Sequence, residues 1–100
     1  MDFRIKHLQD QVVVITGASS GIGLTTARMA ARRGGSVVLA ARNRDAIEQA
    51  AREIRDAGGS ALAVRCDVGD EDQVRGVAEA AREAFGGFDT WVNNAGVSIF

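Results

Sequence analysis

Two short clusters have residue types and spacing that could do chemistry. The first is Thr16-Gly17-Ala18-Ser19-Ser20-Gly21-Ile22-Gly23, which follows the apolar run Val12-Val13-Val14-Ile15 and flows into helical sequence. Glycine at 17 permits a tight turn out of a strand, and glycine at 21 lets backbone approach an anion closely. Glycine at 23 allows a helix to pack close to a sheet. The open amides and positive dipole of the helix N-terminus would then face the ligand. On glycine spacing alone, a plain glycine-rich turn is an equal alternative. The second cluster is Asn93-Asn94-Ala95-Gly96, and Asn93 stands 76 positions after Gly17. Between the two stand Arg42, just after a second apolar run, and the pair Asp67-Val68. The single cysteine, Cys66, ends an apolar stretch and reads as buried packing, and the single histidine, His7, reads as solvated. One Cys and one His exclude a zinc site of the usual soft ligands.

The elements that must position these residues follow a rhythm. Short β-branched runs begin near Val12, Val37, Ala61 and Trp91, and a helical pattern fills each gap. A period of roughly 25–30 residues is that of βα units, which lay strands parallel with right-handed crossovers. The first helix is expected over about Ser20 to Arg33, with Ile22, Met29 and Ala30 on its buried side. The second, about Arg44 to Ala57, puts Ile47, Ala50, Ala51 and Ile54 on one stripe, with Asn43 as N-cap. The third, about Asp70 to Phe85, repeats the stripe with Val74, Val77, Ala78, Ala81 and Phe85, and Asp70, Glu71 and Asp72 complement its dipole. Gly34-Gly35, Gly58-Gly59 and Gly86-Gly87 stand where these helices should stop. Trp91 reads as core packing. Asp89 either caps the fourth strand or supports a ligand pocket, and Arg28, Arg32 and Arg33 read as a solvated helix end.

Composition narrows the classes. The chain has 100 residues, 46% hydrophobic and 25% charged, with a formal charge of -1. That is one domain of ordinary globular composition, not a disordered segment. A nucleic-acid binder of this size would carry a basic surplus, so no nucleic-acid partner is expected. No apolar run approaches the ~20 residues of a membrane helix. The polar start carries no signal-peptide pattern, so a cytoplasmic location is expected.

Thr16–Gly23 together with Asn93–Gly96 resembles the short-chain dehydrogenase/reductase family. Its Gly-xxx-Gly-x-Gly spacing differs from the commoner Gly-x-Gly-xx-Gly fingerprint, and Asp67-Val68 lies where that family has it. The likeness covers Gln11 to Gly96. It implies a Rossmann-type doubly wound α/β sheet, here partial, with four parallel strands in order 3-2-1-4. Residues 1–100 would form the N-terminal part of one NAD(P)-binding domain. Gly17, Ser19, Ser20, Gly21, Ile22 and Gly23 would surround the cofactor pyrophosphate and adjoining ribose. Asp67 would accept from the adenine amino group with Val68 packing nearby. Asn94, Ala95 and Gly96 would line the ribose and nicotinamide side, and Asn93 would tie neighbouring strands.

The resemblance also bears on cofactor and chemistry. NAD-preferring enzymes usually end the second strand in an acid that binds the ribose hydroxyls. Here Ala41 has that place and Arg42 follows, with Arg44 close by. A guanidinium suits the 2′-phosphate, so NADP(H) is expected, with NAD(H) the alternative. Ser20 stands where many NADP-preferring relatives have a basic residue. The family's catalytic tyrosine, lysine and serine follow the Asn-Asn-Ala-Gly motif, and this sequence has no tyrosine. No catalytic residue is therefore assigned in these residues, and alone they are expected to be inactive. The function expected for the full-length protein is hydride transfer between nicotinamide and an alcohol/carbonyl substrate, by a homo-oligomer. The alternative is a non-catalytic dinucleotide-binding or regulatory module.

Overall fold

The computed structural model describes residues 10–19 and 21–94. Strand β1 (Val12–Thr16) leads to α1 (Gly21–Arg32), then β2 (Ser36–Ala41), α2 (Arg44–Asp56), β3 (Ser60–Arg65), α3 (Glu71–Phe85) and β4 (Thr90–Asn93). The strands form one sheet in the order β3-β2-β1-β4, and every pairing is parallel. Val14 pairs with Val38 on one side and Trp91 on the other, so β1 sits at the centre. The order reverses between β1 and β4. This is the partial Rossmann-type arrangement expected.

Alternation along the strands divides the core into two layers. Val13, Ile15, Val37 and Leu39 pack with Ala27, Ala30, Ile47, Ala50, Ala51 and Ile54, so α1 and α2 cover one face. Val14, Val38 and Ala40 pack with Cys66, Val77 and Ala81, so α3 covers the other, with Val74, Phe85 and Trp91 at its margin. The α2 stripe is the one its periodicity predicts. Asn43 caps that helix by accepting from the Ala46 amide at 3.1 Å. Asp70 stands just outside α3 as its N-cap and accepts from the Asp72 and Gln73 amides. Gly86 ends α3 in the left-handed region at φ 84°, as a helix-terminating glycine should.

One expectation is corrected. Ile22 is 74% exposed and Met29 47% exposed, and the buried residues of α1 are Gly23, Ala27 and Ala30. A Cβ on Gly23 would stand 2.6 Å from the Gly17 carbonyl oxygen and 2.9 Å from the Ala18 Cα. The helix lies so close to the turn that its fully buried positions hold only Gly and Ala, with Leu24 packing partly buried beside them. That rotates Ile22 and Met29 outward.

Candidate functional site

The carboxyl ends of β1, β2, β3 and β4 lie along one edge of the parallel sheet, and strand order reverses there between β1 and β4, the kind of place where open α/β sheets bind ligands. Gly17 leaves β1 at φ 68°, a backbone conformation that side chains disfavour, and so turns the chain sharply. The turn is anchored from both sides. The Ala18 amide donates to the Ala40 carbonyl at 3.2 Å, and the Asn94 amide donates to the Thr16 carbonyl at 3.2 Å. The Asn94 side-chain Nδ2 also donates to the Gly17 carbonyl, at 3.3 Å. Helix α1 then starts at Gly21 with no acidic residue in its first turn, so nothing on the helix offsets its positive end. A Cβ on Gly21 would meet nothing within 4 Å, so the fold itself does not require glycine there.

Beside the turn lies a cleft of about 310 Å³ lined by Gly17, Ala41, Arg42, Cys66, Asp67 and Val68. Three separate strand ends supply these residues. Arg42 is exposed and makes no ion pair among the described residues. Asp67 is held in place by its own loop: its amide donates to Gln73 Oε1 at 2.8 Å and its Oδ1 accepts from the Gly69 amide at 2.9 Å. Its second oxygen, Oδ2, accepts from no group among the described residues. The Cys66 amide donates to the Ala41 carbonyl at 2.9 Å and closes the floor between β2 and β3. Burial first, then the Asp67 and Asp70 charges, push the Cys66 thiol up from its ordinary value. A buried thiol held neutral is packing rather than a nucleophile, as its sequence position suggested.

The structure thus brings together Gly17, Ser19, Gly21, Ile22, Gly23, Arg42, Asp67, Val68 and Asn94 around one end of the sheet. Ser20, Ala95, Gly96 and His7 lie outside the described residues. Asp89 is at the opposite end of the sheet, where its Oδ2 accepts from the Val12 amide at 2.8 Å, so it ties β1 to the start of β4.

Thr16 Oγ1 donates across the β1–β4 pair to Asn93 Oδ1 at 3.1 Å, the inter-strand tie expected of Asn93. Sequence reasoning missed the second donor on that same oxygen, Trp91 Nε1 at 2.9 Å. The signal was available: residues two apart on a strand share a face. A second cleft, of about 470 Å³, continues past Val68 and is lined by Thr16, Glu71, Val74, Arg75 and Asn93.

Among the described residues no cluster of His, Cys, Asp or Glu could hold a metal ion. None of their helices is long and apolar enough to cross a membrane.

Comparison with known proteins bears on this geometry. The family profile described as short chain dehydrogenase matches residues 11–100. The chain is 57% identical over 97 residues to the uncharacterized oxidoreductase YxnA of Bacillus subtilis (strain 168), which covers 97% of this chain and 27% of that protein. It is 48% identical over 92 residues to cis-4-hydroxycyclohexanecarboxylate dehydrogenase of Sinomonas cyclohexanicum, covering 89% of this chain and 35% of that protein. These 100 residues therefore span about a third of the length of the curated relatives they match. Among solved structures, L-sorbose reductase from Gluconobacter frateurii, complexed with NADPH and L-sorbose, superposes with a TM-score of 0.83 at 44% identity, over 89% of this chain and 34% of that one. A short-chain type dehydrogenase/reductase from Mycobacterium marinum gives 0.82 at 45% identity, over 89% of this chain and 36% of that one.

Proposed function

Because the chain belongs to the short-chain dehydrogenase family, a family of nicotinamide-dependent oxidoreductases, we propose that it is the NADP(H)-binding, N-terminal part of a single Rossmann-type domain. The whole protein transfers a hydride between nicotinamide and an alcohol or carbonyl substrate. One observation carries this reading: Gly17, Arg42, Asp67 and Val68, far apart in sequence, line a single cleft beside a helix N-terminus.

The residues present fit the cofactor. The open approach at Gly21 and the amides at the start of α1 suit a pyrophosphate, which is held by backbone donors and the helix dipole. Ile22, exposed at the first turn, borders that phosphate rather than the core. Asp67 Oδ2, with its partner oxygen already bonded to Gly69, suits a purine amino donor, and Val68 offers an apolar edge to the ring. Asn94 sits against the turn where the ribose would follow, with Ala95 and Gly96 assigned to the same side by the family motif. At the end of β2, Ala41 presents no carboxylate to repel a 2′-phosphate, and Arg42 stands uncommitted beside it. When bound, the cofactor supplies the hydride. These residues hold and orient it, and none of them is a proton donor for a carbonyl oxygen.

The complete protein is expected to bind NADPH more tightly than NADH by about 10- to 150-fold, the worth of one charge-assisted pair at roughly 1.5–3 kcal/mol. Titration calorimetry with both nucleotides measures this directly. Equal affinities would refute the preference, and no binding of either would refute the whole reading. The 100 residues alone, having no tyrosine, are expected to show no reductase turnover.

A further inference from the structure

The hydrogen bonds at the end of β4 fix the direction of an amide that would otherwise be ambiguous. Trp91 Nε1–H can only donate, so the Asn93 atom 2.9 Å from it must be the oxygen. The Thr16 hydroxyl, 3.1 Å from that oxygen and 3.4 Å from the Val92 carbonyl oxygen, has the Asn93 oxygen as the nearer acceptor for its one proton. Both donors converge on Oδ1, and Nδ2 is left without a partner among the described residues. Asn93 is exposed and borders the cleft of about 470 Å³ that continues from the Asp67–Val68 side. Without the indole donor the carboxamide could turn over, because a threonine hydroxyl is satisfied equally by an amide oxygen or an amide N–H.

The indole itself is half-buried and packed on two sides. Its ring meets Phe88 edge-on at a centroid distance of 5.3 Å, and it packs at the margin of the Val77–Ala81 core layer. Asn93 leads directly into Asn94, whose backbone and side chain both bond the glycine turn. Trp91 is therefore the buttress for the junction where the two nucleotide-facing elements meet.

We propose that Trp91 is a positioning residue for cofactor binding: its indole N–H locks the Asn93 carboxamide with the oxygen toward Thr16 and the NH₂ toward the cleft, where it meets a hydrogen-bond acceptor on the bound nucleotide. This rests on the reading of the site as a nicotinamide-nucleotide site. Trp91 touches no ligand and acts through Asn93.

The test uses the complete natural protein and NADPH. Trp91→Phe keeps an aromatic ring for the packing against Phe88 and removes the donor together with part of the bicyclic ring's volume, which the indole resonance and the double variant separate from the hydrogen bond. It should raise the NADPH dissociation constant about 3- to 10-fold, the loss of roughly one hydrogen bond. Asn93→Leu should do the same, and the double variant should be no worse than Asn93→Leu alone. The ¹⁵N–¹H resonance of the Trp91 indole, assigned by its disappearance in Trp91→Phe, should lie downfield as a bonded N–H and move upfield in Asn93→Leu. An affinity within twofold of the parent in Trp91→Phe, effects that multiply in the double variant, or an indole resonance indifferent to Asn93 each overturns the proposal. Failure of the parent protein to bind NADPH would instead overturn the underlying reading of the site.

Discussion

The two ends of the sheet differ in a way that volume alone would misjudge. A groove of about 580 Å³ lies at the amino ends of the strands, between the last turns of α1 and α2, and is lined by Arg28, Arg32, Glu53, Ile54, Gly58 and Gly59 among others. The cleft at the carboxyl ends is about 310 Å³. In the lower groove Arg28, Glu53 and the glycine amides already have partners, while Arg32 makes no ion pair among the described residues. Arg28 pairs with Glu53 at 3.1 Å, and the Gly34, Gly58 and Gly59 amides bond carbonyls of the preceding helices. In the upper cleft Arg42 and Asp67 Oδ2 have none among the described residues, and backbone at Gly21 is open. Helix C-termini face the lower groove and a helix N-terminus faces the upper cleft, so only the upper end favours an anion. Unsatisfied, convergent polar groups mark a site better than empty space does.

The sharpest way to break this contrast is at Gly21. A Cβ there meets nothing within 4 Å, so Gly21→Val should leave the circular dichroism spectrum and thermal midpoint nearly unchanged. It should nevertheless weaken NADPH binding by at least about 100-fold, close to 2.7 kcal/mol, because branched carbons would occupy the approach to the turn. Binding that survives the change would reduce the glycine cluster to a turn and remove the distinction between the two ends.

Arg42→Ala comes next. It removes one guanidinium from an exposed strand end that supports no other described contact, so stability should hold within about 0.5 kcal/mol. The 10- to 150-fold preference for NADPH over NADH should nearly vanish, with NADH affinity kept. If NADH affinity falls equally, Arg42 serves the shared part of the nucleotide and not the 2′-phosphate.

Much of this was legible in the residues themselves. The α2 and α3 stripes could be read because Ile47, Ile54, Val77 and their alanine partners repeat at helical spacing on otherwise charged helices; uniform βα spacing pointed to parallel strands, and their order came from the family resemblance. Helix α1 is less legible, because Ala30 is buried as expected while the larger Ile22 and Met29 are exposed. There the close approach of Gly23 to the Gly17 carbonyl sets which face is inside, and that contact joins two layers of the fold rather than neighbours in a pattern. The same is true of Trp91. Its spacing of two from Asn93 puts both on one face of a strand, but which Asn93 atom its N–H meets depends on a side-chain rotamer that periodicity does not encode.

At the lower end the glycines have a different task. A Cβ on Gly59 would stand 2.7 Å from Ile54 Cγ2 and 3.1 Å from the Ile54 carbonyl oxygen, and Ile54 is part of the α2 core face. Gly59→Ala should therefore cost about 1–3 kcal/mol of stability through overpacking. Denaturant titration would show this, and NADPH affinity measured below the unfolding transition should not move. A loss of affinity matching that of Gly21→Val would mean that the two ends are not independent.

The smallest effect is expected from the Arg28–Glu53 ion pair in the lower groove. Arg28 and Glu53 meet at 3.1 Å with side chains 44% and 51% exposed, so water screens their attraction and holding two long side chains in place costs entropy. Arg28→Ala should lower stability by no more than about 1 kcal/mol, and the loss should shrink as salt is added. NADPH affinity should stay within twofold. This variant sharpens the comparison because Arg28 and Arg42 carry the same group on the same small domain, one paired over a large groove and one unpaired beside a small cleft. If nucleotide binding depended on overall positive charge, both alanine variants would weaken it alike at low salt. A selective effect of Arg42 would show instead that placement at the carboxyl ends of the strands, and not charge, is what makes an arginine useful here.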